Sequence, residues 1–481
     1  MRFSIVSTLR VEALDVHPVA VEADVVRGMA HFSIVGLGDR SVSEARDRVS
    51  SAIRNSGYVS PKQQNQKVVV SLAPCEVRKI GSGYDLAIAL SYLIASGQIP
   101  PREPGSAFVG ELSLDGTVRS VTGSLALALG AKRLGIQDLF VSDESFDEIH
   151  RSRLPVGVRL HRITSLKEAV EHDCSACVVD VQVEFCEEEQ NAFDSIVGSN
   201  FAKRAALVAA VGAHNVALVG PPGSGKSMLA AAIPPLLPDL SDEELLEVAA
   251  IRSISGHRDA ASRRPPFRRP HHGSSWSSLV GSASGTFGEI TLAHHGVLFL
   301  DEIAEFDRRA LESLREPIED GWIDIASSSR RIRLPSRFML IAAMNPPSTL
   351  GEYAHARARA RMPSEAILDR FDIWVRMDAR DIGRSGTRQA YEPITHVREQ
   401  IQNARALLVC ASQEKKAVSP LEYLNSEAIA ILDQLAEKLR LSNRGVTRMA
   451  RVARSVAALD ARSDVTAHDV LEAASYRRVE S

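Results

Sequence analysis

The chain has 481 residues, of which 44% are hydrophobic and 24% charged, and its formal net charge is −3. This composition is typical of a folded globular protein of two or three domains and excludes extensive disorder. With so small a net charge and only 5% aromatic residues, any nucleic-acid contact has to come from local basic patches. The five cysteines indicate reduced thiols in a cytoplasmic protein. Neither a signal peptide nor a membrane span is predicted.

Residues 1–171 are predicted to form an N-terminal domain in which strands and helices alternate. β-branched runs indicate strands, and apolar segments of helical length indicate helices. The expected elements are strands at 68–72 and 107–114, helices at 85–95 and 125–134, and a hairpin turn at Asp115-Gly116. A shift to scattered cysteines and acidic residues then predicts a linker over 172–192.

The strongest signal in the next part, residues 193–380, is a glycine-rich phosphate-binding loop. The pattern G-x-x-x-x-G-K-[ST] is met by Gly220, Pro221, Pro222, Gly223, Ser224, Gly225, Lys226 and Ser227. Glycines let successive N–H groups point at phosphates, Lys226 reaches the β- and γ-phosphates, and the Ser227 hydroxyl can ligate Mg²⁺. A strand is expected over 215–219 and a helix over 228–233. The segment therefore predicts a site for ATP and Mg²⁺.

Two further strands are expected to bring polar side chains to this site. The apolar run 296–300 ends in Asp301 and Glu302, and the run 338–344 ends in Asn345. Asp301 is expected to hold Mg²⁺, and Glu302 to orient and polarise the attacking water. Asn345 is expected to hold that water or to sense the γ-phosphate. Taken alone, such residues also occur at ordinary strand ends and turns, but their position in one α/β domain favours the functional interpretation.

Residues 381–481 are predicted to form a helical domain, with helices over 426–440 and 447–461. Two arginines near these segments are Arg370 and Arg444. From composition alone, each is interpreted as a surface residue. An arginine from a neighbouring subunit can also neutralise charge on a γ-phosphate during transfer, so both remain candidates for the site.

A β-hairpin is predicted between the Asp301 strand and the Asn345 strand. Its arms are 322–325 and 331–334, with Arg330 and Arg331 near the tip. A second basic cluster consists of Arg258, Arg263, Arg264, Arg268 and Arg269. Either group can contact a phosphate backbone in a salt-dependent, sequence-tolerant way, and the alternative is solvated surface or ion pairs.

Longer motifs carry a resemblance to a known family. They are the segments 264–272, close to R-P-F-R-x-P-H-H, 288–296, 314–321 and Asn345-Pro346. Together they resemble the magnesium-chelatase-like AAA+ ATPases of the ComM/YifB family, over nearly the whole chain. The resemblance implies an α/β fold with a Lon-protease-like α+β N-terminal domain. It also implies a central AAA+ parallel sheet with helices on both faces and a C-terminal helical lid.

The resemblance implies a homohexameric ring that binds ATP between subunits and hydrolyses it to ADP and phosphate. Arg370 then corresponds to the arginine finger, and Arg444 to the second sensor arginine on the lid. ComM proteins are implicated as DNA helicases that drive branch migration in recombination and natural transformation. In this branch of AAA+ proteins the hairpin points into the central pore, so Arg330 and Arg331 are expected to meet DNA there.

Two other functions remain open. The related chelatase suggests a remodelling ATPase of magnesium-chelatase or chaperone type that acts on a protein partner. A Lon-type protease needs a Ser-Lys dyad, but the corresponding positions hold Gly83 and Leu125. The N-terminal domain is therefore expected to serve assembly or partner contact. Two histidine pairs are expected to pack or signal beside the nucleotide site: His271-His272 and His294-His295.

Overall fold

The computed structural model describes residues 3–36, 40–74, 81–171, 176–178, 200–259, 261–282, 286–326, 331–345, 363–377, 394–415 and 419–477. They fall into two compact units. The first comprises Met1–Phe185 together with Asp242–Ser262, and the second comprises Cys186–Ser241 together with Arg263–Ser481. Each unit has its own hydrophobic core.

The strands in chain order are β1 (Phe3–Glu12), β2 (Asp15–Arg27), β3 (His31–Val35), β4 (Gln66–Ala73), β5 (Ser106–Phe108), β6 (Glu111–Leu112), β7 (Val118–Arg119), β8 (Asp138–Ser142), β9 (Arg159–Ile163), β10 (Ala176–Val178), β11 (Val216–Val219), β12 (Phe267–Arg268), β13 (Gly296–Leu300), β14 (Trp322–Ala326), β15 (Arg331–Pro335), β16 (Phe338–Met344) and β17 (Ile373–Arg376).

The α-helices in chain order are α1 (Arg40–Asn55), α2 (Asp85–Ala95), α3 (Ser124–Ala131), α4 (Asp143–Ser152), α5 (Leu166–Glu171), α6 (Asn200–Gly212), α7 (Lys226–Ala232), α8 (Asp242–Ile254), α9 (Trp276–Val280), α10 (Glu289–Leu292), α11 (Arg308–Glu312), α12 (Arg315–Asp320), α13 (Glu365–Leu368), α14 (Ile394–Lys415), α15 (Ser426–Lys438), α16 (Asn443–Leu459) and α17 (Ala467–Ser475). Among these described helices, none is both long enough and apolar enough to cross a membrane.

The first unit is built on a mixed eight-stranded sheet in the order β10-β9-β8-β5-β1-β2-β4-β3. Helix α2 is buried along its whole length, as its largely apolar sequence predicts. The strand expected at 68–72 and the helix expected at 85–95 are confirmed as β4 and α2. The helix expected over 125–134 is α3 followed by a 3₁₀ turn, and Gly135 ends it with a φ of 74°.

The single strand expected over 107–114 is wrong, because the chain turns between β5 and β6. The Gly110 N–H donates to the carbonyl of Gly83, and the Gly110 carbonyl accepts from the N–H of Leu86. These bonds draw the backbone away from β8 and towards α2, so one extended strand cannot form. The hairpin turn at Asp115-Gly116 is confirmed, since β6 and β7 pair antiparallel on either side of it.

Helix α8 belongs to the first unit although the phosphate-binding loop precedes it in sequence. It packs against α3. The Ser253 hydroxyl donates to the Glu148 carboxylate at 2.6 Å and accepts from the Leu125 N–H at 3.2 Å. Burial raises the pKa of Glu148, while the Ser253 and Leu125 hydrogen bonds oppose that shift. The position expected for the catalytic lysine of a Lon-type protease is therefore a buried leucine next to α8.

Residues 242–262 are an insertion in the sequence of the second unit, and the residues on either side of this insertion are hydrogen-bonded to each other. The Leu240 N–H donates to the carbonyl of Arg263 at 2.7 Å, and the Arg263 guanidinium donates back to the Leu240 carbonyl at 3.0 Å. Within the segment 172–192, predicted as a linker, the described residues form β10, which pairs antiparallel with β9.

The second unit contains a five-stranded parallel sheet in the order β12-β13-β16-β11-β17. The strands predicted at 215–219, 296–300 and 338–344 are confirmed as β11, β13 and β16. The predicted hairpin is confirmed as the antiparallel pair β14 and β15. The helices α14 to α17 form the C-terminal part, and their buried faces share the core with the sheet. The helices predicted in this part are confirmed as α15 and α16.

Candidate nucleotide-binding site

The carboxyl ends of three adjacent parallel strands meet at one edge of the second unit's sheet. Strands β13, β16 and β11 lie side by side, and Val219 at the end of β11 pairs with Met344 at the end of β16. The Gly220 N–H donates to the Met344 carbonyl at 3.2 Å. Asp301, Asn345 and the glycine loop therefore leave the sheet at the same edge, as the sequence predicted.

The glycines of this loop are required for two different reasons. A side chain at Gly220 would place its Cβ 2.2 Å from the carbonyl oxygen of Met377, so the obstacle there is steric. Gly223 and Gly225 have φ values of 78° and 84°, in the left-handed region that side chains disfavour. A Cβ at Gly223 would meet nothing within 4 Å, so the space above the loop is open to a ligand.

The Lys226 side chain is buried and lies across the loop. Its ammonium group donates to the carbonyls of Gly220 at 2.7 Å and Pro221 at 2.9 Å, and to Oδ1 of Asn345 at 3.1 Å. Burial lowers the pKa of Lys226, whereas the charges of Asp301 and Glu302 act in the opposite direction. The ammonium is thus positioned between the loop and the end of β16, where phosphates would compete for its donors.

The donor atoms suited to Mg²⁺ lie next to this lysine. The Ser227 hydroxyl donates to Oδ2 of Asp301 at 3.0 Å, which places two hard oxygen ligands side by side. The Ser224 hydroxyl is buried and has no hydrogen-bond partner among the described residues, so it is free to bond to a phosphate oxygen. These residues fit a magnesium nucleotide: the loop and Lys226 would hold phosphates, and Ser227 and Asp301 would hold the metal ion.

Glu302 follows the expected metal ligand and has an unusual backbone conformation. Its φ and ψ are 54° and 52°, left-handed values that a residue other than glycine adopts at a cost of roughly 1–2 kcal/mol. The Glu302 carbonyl accepts from the N–H of Glu305, which begins a 3₁₀ turn. The bend turns the backbone immediately after Asp301.

Arg269 forms an ion pair with Asp301, a contact that the sequence did not reveal. Its guanidinium Nη2 lies 2.5 Å from Oδ2 of Asp301, and its Cζ lies 5.4 Å from the centre of the Phe299 ring. Strand β12 is parallel to β13 and ends at Arg268, so the next residue is directed towards the edge where Asp301 lies. The motif 264–272, which contains Arg269, was visible in the sequence, but the pairing of β12 with β13 was not.

The other arginines of the predicted basic cluster are engaged within their own units. Arg258 contacts Glu144 and Ser120, Arg263 contacts the Leu240 carbonyl, Arg264 contacts Asp239, and Arg268 contacts Glu289 through two hydrogen bonds. Internal ion pairs and hydrogen bonds, the alternative to a nucleic-acid patch, therefore account for this cluster.

Arg370 and Arg444 converge on one carboxylate that the sequence did not single out. Oε1 of Glu319 lies 2.7 Å from Arg370 and 3.4 Å from Arg444. The Arg370 side chain is only 9% exposed, whereas that of Arg444 is 74% exposed. Glu319 belongs to the quoted motif 314–321, which was the one signal that pointed to it.

Arg370 lies at the amino ends of the parallel strands, whereas Lys226 lies at their carboxyl ends. The Arg370 carbonyl accepts from the side chain of Asn215, which immediately precedes β11, whereas the glycine loop follows β11. The structure therefore does not bring Arg370 to the nucleotide site of its own chain.

The same reasoning corrects the expectation that His294-His295 lies beside the nucleotide site. This pair precedes β13, at the edge away from the loop, and His294 Nδ1 accepts from the Arg337 N–H.

The hairpin presents arginines that share an acidic partner. Asp324 lies 2.5 Å from Arg331 and 2.9 Å from Arg333, whose side chains are 71% and 63% exposed. Hydrogen bonds from both arginines, led by Arg333, hold the pKa of Asp324 well below its usual range. Arg330, predicted near the tip with Arg331, lies outside the described residues.

Three family models match the chain in succession. Residues 21–145 match "Subunit ChlI of Mg-chelatase", residues 192–384 match "Magnesium chelatase, subunit ChlI", and residues 387–477 match "Magnesium chelatase, subunit ChlI C-terminal". The second match contains the glycine loop, Asp301 and Asn345, so the family model and the geometry identify the same part of the chain.

Relatives of similar length extend this match. The YifB protein of Escherichia coli (strain K12) is 36% identical over 100% of this chain and 98% of its own length. The competence protein ComM of Haemophilus influenzae is 34% identical over 95% of this chain and 94% of its own length. A magnesium-chelatase subunit ChlI homologue of Methanocaldococcus jannaschii is 24% identical over 58% of this chain and 82% of its own length. The chain belongs to the ComM/YifB family of magnesium-chelatase ChlI-like AAA+ ATPases.

Proposed function

We propose that this chain hydrolyses ATP with Mg²⁺ as a hexameric ring and uses the hydrolysis to move DNA. The observation that carries the first part is the meeting of Lys226, the Ser227–Asp301 pair, Glu302 and Asn345 at one sheet edge. Such a set serves phosphoryl transfer, in which catalysis consists of positioning and charge stabilisation.

Each residue has a distinct task in this proposal. The loop N–H groups and the Lys226 ammonium bind the phosphates, and Ser227 and Asp301 hold the metal ion. When bound, Mg²⁺ supplies neutralisation of the charge that develops on the phosphate oxygens. Glu302 accepts a hydrogen bond from the attacking water and polarises it, and Asn345 fixes the position of that water.

The position of Arg370 supports the proposed ring. Since Arg370 lies at the sheet edge away from its own glycine loop, it can act on a γ-phosphate only in the site of a neighbouring subunit. Its carboxylate partner, Glu319, has to be exchanged for that phosphate. Arg444, on the helical C-terminal part, is proposed to sense the nucleotide from the lid.

The DNA part of the proposal rests on the hairpin and on a relative's name. Arg331 and Arg333 are mostly exposed on a two-stranded hairpin inserted between β13 and β16. One full-length relative is a competence protein, which supports a role as a helicase or branch-migration factor in recombination or natural transformation. Contacts through Arg331, and through Arg330, would be to phosphates and independent of base sequence.

A second candidate is a magnesium-chelatase-like or chaperone-type ATPase that remodels a protein partner. The observation that favours it is the sharing of Asp324 by both hairpin arginines, which reduces the positive charge available to DNA. The net charge of −3 is also compatible with a protein substrate. In either case the first unit, proposed to be Lon-like without a catalytic dyad, would serve assembly or partner contact.

The deciding experiment compares ATP hydrolysis by the full chain alone and with single-stranded, duplex and branched DNA. The proposal expects stimulation of at least severalfold that falls as salt rises, because phosphate contacts are screened. Glu302→Gln is the matched control, since it should bind ATP and DNA but release phosphate roughly a hundredfold more slowly. Absence of both stimulation and low-salt DNA binding would reject the motor and favour the protein-remodelling candidate.

A further inference from the structure

One carboxylate oxygen of the site accepts hydrogen bonds from two donors. Oδ2 of Asp301 accepts from the Ser227 hydroxyl at 3.0 Å and from the Arg269 guanidinium at 2.5 Å. We propose that Arg269 competes with Mg²⁺ for Asp301 and thereby sets the Mg²⁺ concentration at which the site binds magnesium nucleotide. This inference rests on the proposed function and assigns a further residue to the same site.

The geometry prevents Arg269 and Mg²⁺ from binding Oδ2 of Asp301 at the same time. Ser227 and Asp301 are the oxygen ligands expected to hold the metal ion side by side. A guanidinium in hydrogen-bond contact with Oδ2 fills the lone-pair direction that remains beside the Ser227 bond. A metal ion that approaches this oxygen therefore meets both an occupied acceptor and a positive charge at close range.

Arg269 is held loosely enough to be displaced. Its side chain is 54% exposed, and its other contact is the face of the Phe299 ring, which gives a modest attraction. The preceding residue differs, because Arg268 makes two hydrogen bonds to Glu289, at 2.6 Å and 2.8 Å. Exposed ion pairs such as that of Arg269 are weak, so a divalent ion can replace it at a moderate concentration.

The position of Arg269 also predicts what happens after displacement. β12 is parallel to β13, so the backbone of Arg269 remains near the sheet edge where the glycine loop begins. The phosphates bound to that loop offer acceptors to the released guanidinium. Arg269 should therefore weaken the binding of the metal ion without weakening the binding of the nucleotide itself. In the pattern R-P-F-R-x-P-H-H this residue stands at the open position x, so the motif itself does not require an arginine there.

The test is a Mg²⁺ titration of fluorescent ADP binding by the full chain. Arg269→Ala should lower the half-saturating Mg²⁺ concentration roughly threefold to tenfold, because the competing cation is removed. Arg269→Lys should stay closer to the unchanged protein. In EDTA, the affinity of Arg269→Ala for fluorescent ADP should be unchanged or lower. Direct Mn²⁺ binding, measured by electron paramagnetic resonance, should shift in the same direction as the Mg²⁺ midpoint.

Arg264→Ala is the matched control, because Arg264 is in the same segment and pairs with Asp239 at 3.1 Å, away from the metal ligands. An unchanged Mg²⁺ midpoint in Arg269→Ala, or an equal shift in Arg264→Ala, would overturn the inference. Failure of the unchanged protein to bind fluorescent ADP even at saturating Mg²⁺ would instead contradict the proposed function. Thermal unfolding of each variant shows whether it is folded, and Arg269→Gln provides a second neutral replacement.

Discussion

Glu302 combines a predicted catalytic carboxylate with a backbone conformation that its side chain disfavours. At φ 54° and ψ 52° the residue lies in the left-handed region, which asparagine adopts more readily than glutamine. Glu302→Asn and Glu302→Gln both remove the carboxylate, so their difference isolates the backbone strain. We expect the asparagine variant to be more stable by about 1 kcal/mol, which is roughly 2 °C in Tm.

The measurement is thermal unfolding of both variants without nucleotide, alongside the unchanged protein. Phosphate release should be strongly slowed in both variants, so a difference in their melting temperatures is independent of activity. Equal melting temperatures for the two variants would show that the bend at Glu302 stores no strain.

At the residue scale, side chains whose chemistry depends on local pattern were predictable. Lys226, Ser227, Asp301 and Asn345 lie where the motifs placed them, because each is fixed by the end of its own strand or loop. Arg269 could be seen only as one of several clustered arginines and as a member of the motif 264–272. Its function depends on the alignment of β12 beside β13, and a two-residue strand has no recognisable period in a sequence. Residues that act through a neighbour in space thus escape a motif-based interpretation.

At the scale of the element, the hairpin β14–β15 contains its own charge regulator. Asp324→Asn removes the acceptor that Arg331 and Arg333 share, so both guanidinium groups become available to phosphates. We expect Asp324→Asn to tighten low-salt DNA binding and Arg331→Ala to weaken it, with the salt slope reduced by about one in the latter. Basal ATP hydrolysis should stay near normal in both variants.

Fluorescence anisotropy with labelled single-stranded DNA over a range of salt concentrations measures these changes. Equal weakening by both variants would mean that hairpin geometry matters more than its charge. The folded pKa of Asp324 is depressed, so its stabilising pairs are present above its ordinary pKa and are lost only as pH falls through the lower, folded value. Mild acidification towards pH 6 should therefore leave DNA binding unaffected by this group.

Elements with a strong apolar pattern were predicted closely, and elements set by long-range bonds were not. The strands β13 and β16 match the predicted ranges because both are buried parallel strands with continuous apolar sequence. The segment 107–114 also begins with an apolar run, yet it is divided by the bonds that Gly110 makes to Gly83 and Leu86. Those partners are more than twenty residues away in sequence (110 − 83 = 27 and 110 − 86 = 24), so no local pattern could reveal them.

At the scale of the whole molecule, activity should depend on assembly. Arg370→Ala and Lys226→Ala should each be inactive alone. In mixed rings, an Arg370→Ala subunit supplies Lys226 and a neighbouring Lys226→Ala subunit supplies Arg370, so the site between them is intact. Random mixing in equal amounts should then restore about a quarter of the sites, since each site needs both intact partners. Phosphate release after mixing, compared with each variant alone, measures this.

Mixing Lys226→Ala with Glu302→Gln provides the control, because those residues serve the same chain's site and no combination restores it. Recovery in the control, or none in the Arg370 mixture, would contradict the proposed role of Arg370 in a neighbour's site.

Helix α8 shows that the boundary between the two units is not a single position in the chain. Residues 242–262 are encoded within the second unit's stretch of sequence but fold with the first, and the bonds between Leu240 and Arg263 close the gap that they leave. A gene cut once at the predicted linker would leave the second part with an orphan helix whose apolar face has lost its neighbours. A deletion of 242–262 would remove that helix, and Ser241 could then be joined to Arg263 because Leu240 and Arg263 are already hydrogen-bonded. Together with the cut at the linker, such a deletion would separate the second unit as an independent protein.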